Sequence, residues 1–335
     1  METDALVRAV MARFGHRVER IRTVQAGGPK MVWKVESPEG PLCLKRLRLT
    51  ADRAAFSVSA QAHVAAHGGP VLPVLPAHDG RLWVEEGGQV FVLYPWVDGR
   101  PARFRLQADL EAAARALAAF HHASRGYEPP AGSRVSSRVG RWPDHYRSLR
   151  ERLERWKEAA AQRPQHPFHK AYLAVADEAI DRARRAEEAL ARSAYAALSA
   201  AGPQAMGLCH QDYSEGNTLV SGDRVWVLDL DNVTFDLPVR DLRKLLVKLM
   251  EGPGGWREPV ARAVLRAYES VAPLAPETLE LLAIDLLFPH PVHDAAKNWF
   301  QNGKPEPPSR VLEVLPFERS KEAALAAWLS RGGSD

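Results

Sequence analysis

Cysteine is scarce: only Cys43 and Cys209 occur in 335 residues. Two thiols are too few for a disulfide framework. No run of about 18 uncharged apolar residues is present, which excludes a spanning helix. The first twelve residues carry Glu2 and Asp4 and lack a basic start followed by an apolar core, so no export signal is expected there. Together these absences predict a cytoplasmic protein with no membrane partner. A strong charge of one sign is also missing, since 45 Lys/Arg face 41 Asp/Glu and leave a net charge of +4. With 46% hydrophobic and 26% charged residues the chain can fill sizeable cores, and intrinsic disorder is excluded as its main state.

The small basic surplus is unevenly placed. Residues 131–200 hold 14 Lys/Arg against 9 Asp/Glu, a larger excess than that of the whole chain, so the other 265 residues sum to −1. A uniformly basic surface suited to nucleic acid is absent. The nine tryptophans are scattered and read as packing, not as a stacking platform for bases.

Up to residue 97 the chain reads as strands with one helix. Residues 17–24, 31–36 and 42–47 are rich in β-branched and apolar residues and are separated by turn chemistry. A helix over 51–67 follows, then two strands over 81–84 and 89–94 joined by Glu85-Glu86-Gly87-Gly88. The expectation is a five-stranded sheet with one helix inserted after the third strand. From Asp98 the periodicity becomes helical: 109–123, 144–161, 168–198, and a helix after Asp241 with a stripe of Leu242, Leu245, Leu246, Leu249 and Met250. The predicted organisation is a small sheet lobe over 1–97 and a larger helical lobe over 98–335. The second lobe contains a catalytic loop at 207–233 and a basic helical insert at 131–200.

The most informative stretch is Gly207 to Val233, GLCHQDYSEGNTLVSGDRVWVLDLDNV. Thr218–Val220 and Val225–Leu228 read as a hairpin around Ser221-Gly222-Asp223-Arg224, and antiparallel register sets Asn217 opposite Leu228 and beside Asp229. Asp212 lies five residues before Asn217 in a loop that can fold back to the same place. Magnesium prefers oxygen ligands and shares its sphere with substrate phosphates. An amide and a carboxylate for the metal, with a separate carboxylate to orient a hydroxyl, is what phosphoryl transfer asks of a protein. Taken singly, His210, Asp212 and Asn217 are ordinary turn residues and Asp229 an ordinary strand-end group; their joint spacing is the signal. Lys45 stands inside the apolar run Leu42-Cys43-Leu44-Lys45-Arg46-Leu47, where a mid-strand lysine needs a reason. It is the candidate phosphate-facing cation, against the alternative of an edge-strand gatekeeper.

These residues resemble the catalytic core of the aminoglycoside-phosphotransferase and choline-kinase type of protein-kinase-like fold. Within that superfamily, Leu208-Cys209-His210-Gln211-Asp212-Tyr213, Asp229-Leu230-Asp231, Leu237-Pro238-Val239-Arg240-Asp241-Leu242, Phe120 to Tyr127 and Gly140-Arg141-Trp142-Pro143 resemble the spore-coat CotS family, over about residues 30–300. The resemblance implies an α+β, bilobal kinase-like fold with ATP and magnesium as cofactors. Asp212 would be the base or orienting carboxylate and His210 a brace for the loop. Asn217 and Asp229 would be metal ligands, with Asp231 as a further one. Lys45 would contact phosphates beside the reduced glycine loop at Gly27 and Gly28. Tyr94 and Trp96 would belong to a hinge whose backbone reads adenine, and Asp241 would hydrogen-bond the catalytic loop.

One departure from related kinases is plain: residues 51–67 contain no glutamate to pair with the lysine, so Gln61, Ser57 or Ser59 would have to substitute. The implied activity is transfer of phosphate from ATP to a hydroxyl of a small molecule or glycan, with spore-coat proteins or glycans as partners and incorporation into the coat. The alternative is a structural coat-assembly protein with little or no turnover. The basic insert suggests an anionic acceptor or docking partner met by Arg182, Arg184 and Arg185. His290, His293 and Asp294 are expected to be structural, not metal ligands, and Pro291 to oppose a regular helix.

Overall fold

The computed structural model describes residues 2–27 and 30–331. The chain begins with α1 (Glu2–Arg13), then runs through β1 (Arg20–Gly27), β2 (Lys30–Ser37), β3 (Gly40–Leu47), α2 (Ala51–Ala66), β4 (Val84–Glu86) and β5 (Gln89–Pro95). β6 (Arg100–Pro101) and α3 (Gln107–Ala123) lead to α4 (Trp142–Ala161), α5 (Pro167–Arg192), α6 (Tyr195–Ala200) and α7 (Pro203–Met206). Then come β7 (Leu208–Cys209), β8 (Thr218–Ser221), β9 (Arg224–Val227) and β10 (Thr234–Phe235). The chain closes with α8 (Val239–Met250), α9 (Glu258–Glu269), α10 (Pro276–Leu287), α11 (His290–Phe300), α12 (Ser309–Leu312) and α13 (Leu315–Arg331). No helix among the described residues is long and apolar enough to cross a membrane.

The expected α+β class and five-stranded antiparallel sheet are borne out. Among the described residues the first sheet has five strands in the order β1-β2-β3-β5-β4, all neighbours antiparallel. Its two faces differ because side chains alternate along each strand. Trp33, Val35, Leu42, Leu44, Phe91 and Leu93 form one buried face and pack with Val7, Val10 and Met11 of α1. The opposite face carries Lys45, and here Leu47, Val90, Val92 and Tyr94 cluster with Ala54 and Val58 of α2. α1 corrects the expectation of a single helix in this region: its apolar residues at 7, 10, 11 and 14 supply the cover for the outer face. Burying each such side chain contributes about 1.5–3 kcal/mol.

By contact, the chain divides into two compact units: residues 1–137, 207–236 and 267–272, and residues 138–206, 237–266 and 273–335. These units cut across the boundary expected at 97/98, because α3 and the β8–β9 hairpin pack with the first sheet's own elements. In the second unit α4 lies along α5, and α10 packs against α5, α8 and α13. The leucine stripe of α8 is core, with Leu242, Leu245, Leu246 and Met250 buried.

Two helix ends differ from expectation. The helix expected over 168–198 stops at Arg192, where Ser193 turns extended and donates both its N–H and its Oγ–H to Leu190 O. Pro291 does not prevent a helix: α11 starts at His290, and a proline in the first turn loses no intrahelical bond.

Candidate active site

The stretch from Gly207 to Phe235 is built as a pair of short ladders. β7 pairs with β10 through Cys209 and Thr234, and β8 pairs with β9 from Thr218 opposite Val227 to Ser221 opposite Arg224. The register matches the one the turn chemistry predicts, and one step beyond it Leu228 N–H donates to Asn217 O at 2.9 Å. Asn217 thus stands across from Leu228, next to Asp229. Its Nδ2 donates back to Asp212 O at 2.8 Å and Asp212 Oδ2 at 3.3 Å.

His210 joins the two ends. Its Nδ1 accepts from Asp212 N–H at 3.3 Å, and its Nε2 lies 2.7 Å from Leu228 O. One neutral ring satisfies both when Nε2 carries the proton. The ring is fully buried, so it braces the loop and does not face a reactant, while Asp212 is exposed. Two non-glycine residues flank these bonds in left-handed backbone, Gln211 at φ 74° and Asp229 at φ 63°.

Lys45, far away in sequence, reaches this turn from β3. Its Nζ lies 2.8 Å from Asp229 Oδ1 and 2.7 Å from Asp231 Oδ1. Burial works against the charged ammonium, yet Asp231 and Asp229 outweigh it and hold its pKa above the ordinary lysine value. Lys45 therefore remains a cation at any working pH. Cys43, two residues along the same face, has its thiol pushed up to about 11 by burial and stays protonated.

The partner of Lys45 does not come from α2. Gln61 donates from Nε2 to Leu72 O at 2.8 Å and accepts at Oε1 from Tyr94 Oη at 3.3 Å, so it ties the helix to β5 instead. α2 contributes Arg53, which the sequence analysis passed over: its Nη2 donates to Val233 O at 2.7 Å, just past the Asp229–Asp231 turn. No spacing rule marks such an arginine, because it binds main-chain carbonyls.

The hinge groups are committed within the sheet. Tyr94 is buried, with its hydroxyl pushed well above its usual pKa by burial. Trp96 N–H donates to Pro41 O at 3.1 Å, its Nε1 donates to Asp98 at 2.8 Å, and Leu93 O accepts from Leu75 N–H. Of the glycine loop, Gly27 ends β1 and Gly28 lies outside the described residues.

Residues 21–274 match the family model described as the phosphotransferase enzyme family, about three quarters of the chain. The chain belongs to that family. This phosphotransferase-family chain is 29% identical over 287 residues to Spore coat protein S of Bacillus subtilis (strain 168), covering 86% of this chain and 82% of the relative. Both levels of the resemblance read from the motifs are borne out. Among solved structures, an aminoglycoside phosphotransferase from Alicyclobacillus acidocaldarius subsp. acidocaldarius DSM 446 has a TM-score of 0.78 at 20% identity, with 97% of this chain and 96% of that one covered. An amicoumacin kinase in complex with AMP-PNP, Ca2+ and Ami has a TM-score of 0.55 at 15% identity, covering 94% and 88%. At these identities the two structures show the shared fold.

The remaining candidates of this phosphotransferase-family chain resolve into structural roles. Arg182, expected to meet an anionic partner, is buried and bonds Glu322 at 2.7 Å and Glu178 at 3.3 Å. Arg184 is taken by Glu154, and Arg185 by Asp181 and Glu322. These three arginines are held by Glu154, Glu178 and Asp181 of the insert and by Glu322 of α13, which a count over residues 131–200 leaves out. His290 bonds Asp285 at 2.9 Å and His293 bonds Asp294 at 3.1 Å. Both are structural histidines. Asp241 is buried in the first turn of α8.

Proposed function

We propose that this chain transfers the terminal phosphoryl group of ATP, with magnesium, to a hydroxyl group of a small molecule or glycan. The observation that carries the reading is the convergence of Lys45 on Asp229 and Asp231, with Asn217 and Asp212 stitched to the adjoining residue Leu228 or to each other. The donor set of one amide and two carboxylates is all oxygen, which fits a hard divalent cation. Asn217 and Asp229 would hold it, with Asp231 as the further carboxylate; the bound cation supplies charge neutralisation on the phosphates. Lys45, permanently charged, is the chain's own cation for the phosphate oxygens.

Asp212 presents an exposed carboxylate to the acceptor. It orients the hydroxyl and receives its proton as the new oxygen–phosphorus bond forms and the bridging bond to ADP breaks. His210 acts by position, keeping the Asp212 amide and Leu228 in register. Residues 1–97 serve nucleotide binding and residues 98–335 bring the catalytic loop and the acceptor side. The amicoumacin kinase, crystallised with a nucleotide analogue and Ca2+, supports nucleotide and divalent metal as ligands of this fold. The name of the relative Spore coat protein S supports incorporation into the spore coat; a cytoplasmic origin and coat proteins or glycans as partners complete the proposed reading.

That relative's name also favours a second reading, a coat-assembly protein that keeps the fold with little turnover, as does the absence of a glutamate on α2. Calorimetry with ATP and magnesium, followed by an assay for ADP release with candidate acceptors, separates the two. Transfer that disappears in Asp212→Ala supports the enzyme. Saturable binding of the nucleotide with no transfer to any acceptor supports the assembly protein, and no magnesium-dependent binding rejects the first reading.

A further inference from the structure

Arg182, Arg184 and Arg185 of the basic insert are paired with carboxylates, whereas a group of cations on β1 and β2 is not fully paired. Arg20, Arg22, Lys34 and Glu36 line a cavity of about 210 Å3 on these two strands. Glu36 lies 3.6 Å from Lys34. The side chains of Arg20 and Arg22 make no hydrogen bond or ion pair with any described residue. Three cations therefore share one carboxylate around one concavity.

The register sets Arg20 opposite Glu36, a favourable pair, but leaves the next cross-strand pair on this face costly. Arg22 stands directly opposite Lys34, and like charges directly opposed across an antiparallel pair are destabilising. Gatekeeper charges on an edge strand account for one or two cations, but they need neither oppose one another nor converge. An anion in the cavity would relieve the repulsion.

The location narrows the ligand. Lys34 pairs with Cys43 and Val32 with Lys45, so alternation puts the basic cavity on the Lys45 face of the sheet. Lys34 is one strand over from Lys45 and two residues, about 7 Å, along from it, and Arg22 is one strand further. Lys34 Nζ also lies 4.9 Å over the ring of Trp96, which fixes the ammonium at one wall. Arginine forks beside a lysine match the tetrahedral, multiply charged oxygens of a phosphate group.

We propose that Arg20, Arg22 and Lys34 form a second anion-binding subsite, separate from Lys45, which takes a phosphate group. The phosphate belongs either to the nucleotide or to another phosphorylated ligand. The subsite does not depend on the transfer reaction, and its test needs no turnover.

The experiment is calorimetric titration of the full chain with inorganic phosphate, at two ionic strengths. Wild type binds saturably and more weakly at high salt. In the Arg20→Gln/Arg22→Gln double variant, whose changes are on exposed side chains, binding weakens about tenfold or more. In Lys45→Met the phosphate affinity stays close to wild type. A parallel ATP titration of the double variant separates the sources: weakened ATP binding assigns the nucleotide's phosphate, and unchanged ATP binding assigns another phosphorylated ligand. Phosphate binding that is absent in wild type, or is lost in Lys45→Met and kept in the double variant, overturns the proposal.

Discussion

Two charge clusters in this chain are made of the same ingredients and have opposite characters. In the first unit one cation, Lys45, meets two carboxylates, Asp229 and Asp231. In the second unit one carboxylate, Asp285, meets two cations, Arg243 at 3.0 Å and Arg240 at 3.4 Å, and is completed by His290 at 2.9 Å and Tyr146 Oη at 2.6 Å. Asp285 is fully buried, whereas Asp229 keeps 26% of its side chain exposed. Burial alone would raise the Asp285 carboxyl, but Arg243 and Arg240 override it and hold it well below the carboxylate range. Burial pushes His290 down to about 3 and His145 down to about 4, in both cases with the arginines adding to it, so both rings stay neutral. A sealed cluster with every oxygen engaged holds helices together. A half-open cluster leaves room for a ligand. Access, more than residue type, separates a structural site from a chemical one.

The comparison breaks hardest at Asp285. Asp285→Ala leaves two buried arginines unpaired and should cost about 3–5 kcal/mol, read as a fall in the unfolding midpoint. Asp229→Ala should cost only about 1 kcal/mol, because Asp231 still holds Lys45. The same variant should abolish magnesium-dependent ATP binding in calorimetry, an inversion of the Asp285 outcome. Asp212→Ala should lower the transfer rate by about 10²- to 10⁴-fold with the unfolding midpoint unchanged, since its carboxylate is exposed.

The histidines sharpen the contrast through pH. For His290 and His145 the folded pKa lies below the unfolded value near 6.5, so the unfolded chain binds more protons in the interval between them. Stability is therefore full above about 6.5 and falls as the pH drops toward 4 and then 3, by about 1.4 kcal/mol per pH unit for each ring. Urea unfolding at pH 7 and at pH 5 checks this, and His290→Gln should flatten the slope. The smallest effect is expected at Arg184→Gln, an exposed partner of Glu154, which should shift stability by less than about 0.5 kcal/mol.

Much of the first cluster was legible because its members are close in sequence or break a pattern. Asn217 and Asp229 are brought together by one hairpin whose turn sets the register, and Lys45 interrupts an apolar strand. The Asp285 cluster left no such trace: Tyr146, Arg240, Arg243, Asp285 and His290 come from four helices, and no spacing rule connects them. α1 was missed for a different reason. Its residues are read easily as a helix only once the outer face of the sheet is known to need a cover. The paired state of Arg182 and Arg185 draws on Glu322, which is 137 residues beyond Arg185 in the chain.

Gln211 and Asp229, held in left-handed backbone on either side of the β8–β9 hairpin, carry a consequence for laboratory evolution. Glycine adopts that conformation without the penalty of a side chain, so glycine at 211 is a route to higher thermal tolerance. The same replacement widens the range of conformations open to Asp212, one residue away. Selection for heat resistance alone should therefore enrich glycine at 211, and selection that also demands phosphate transfer should hold glutamine in place.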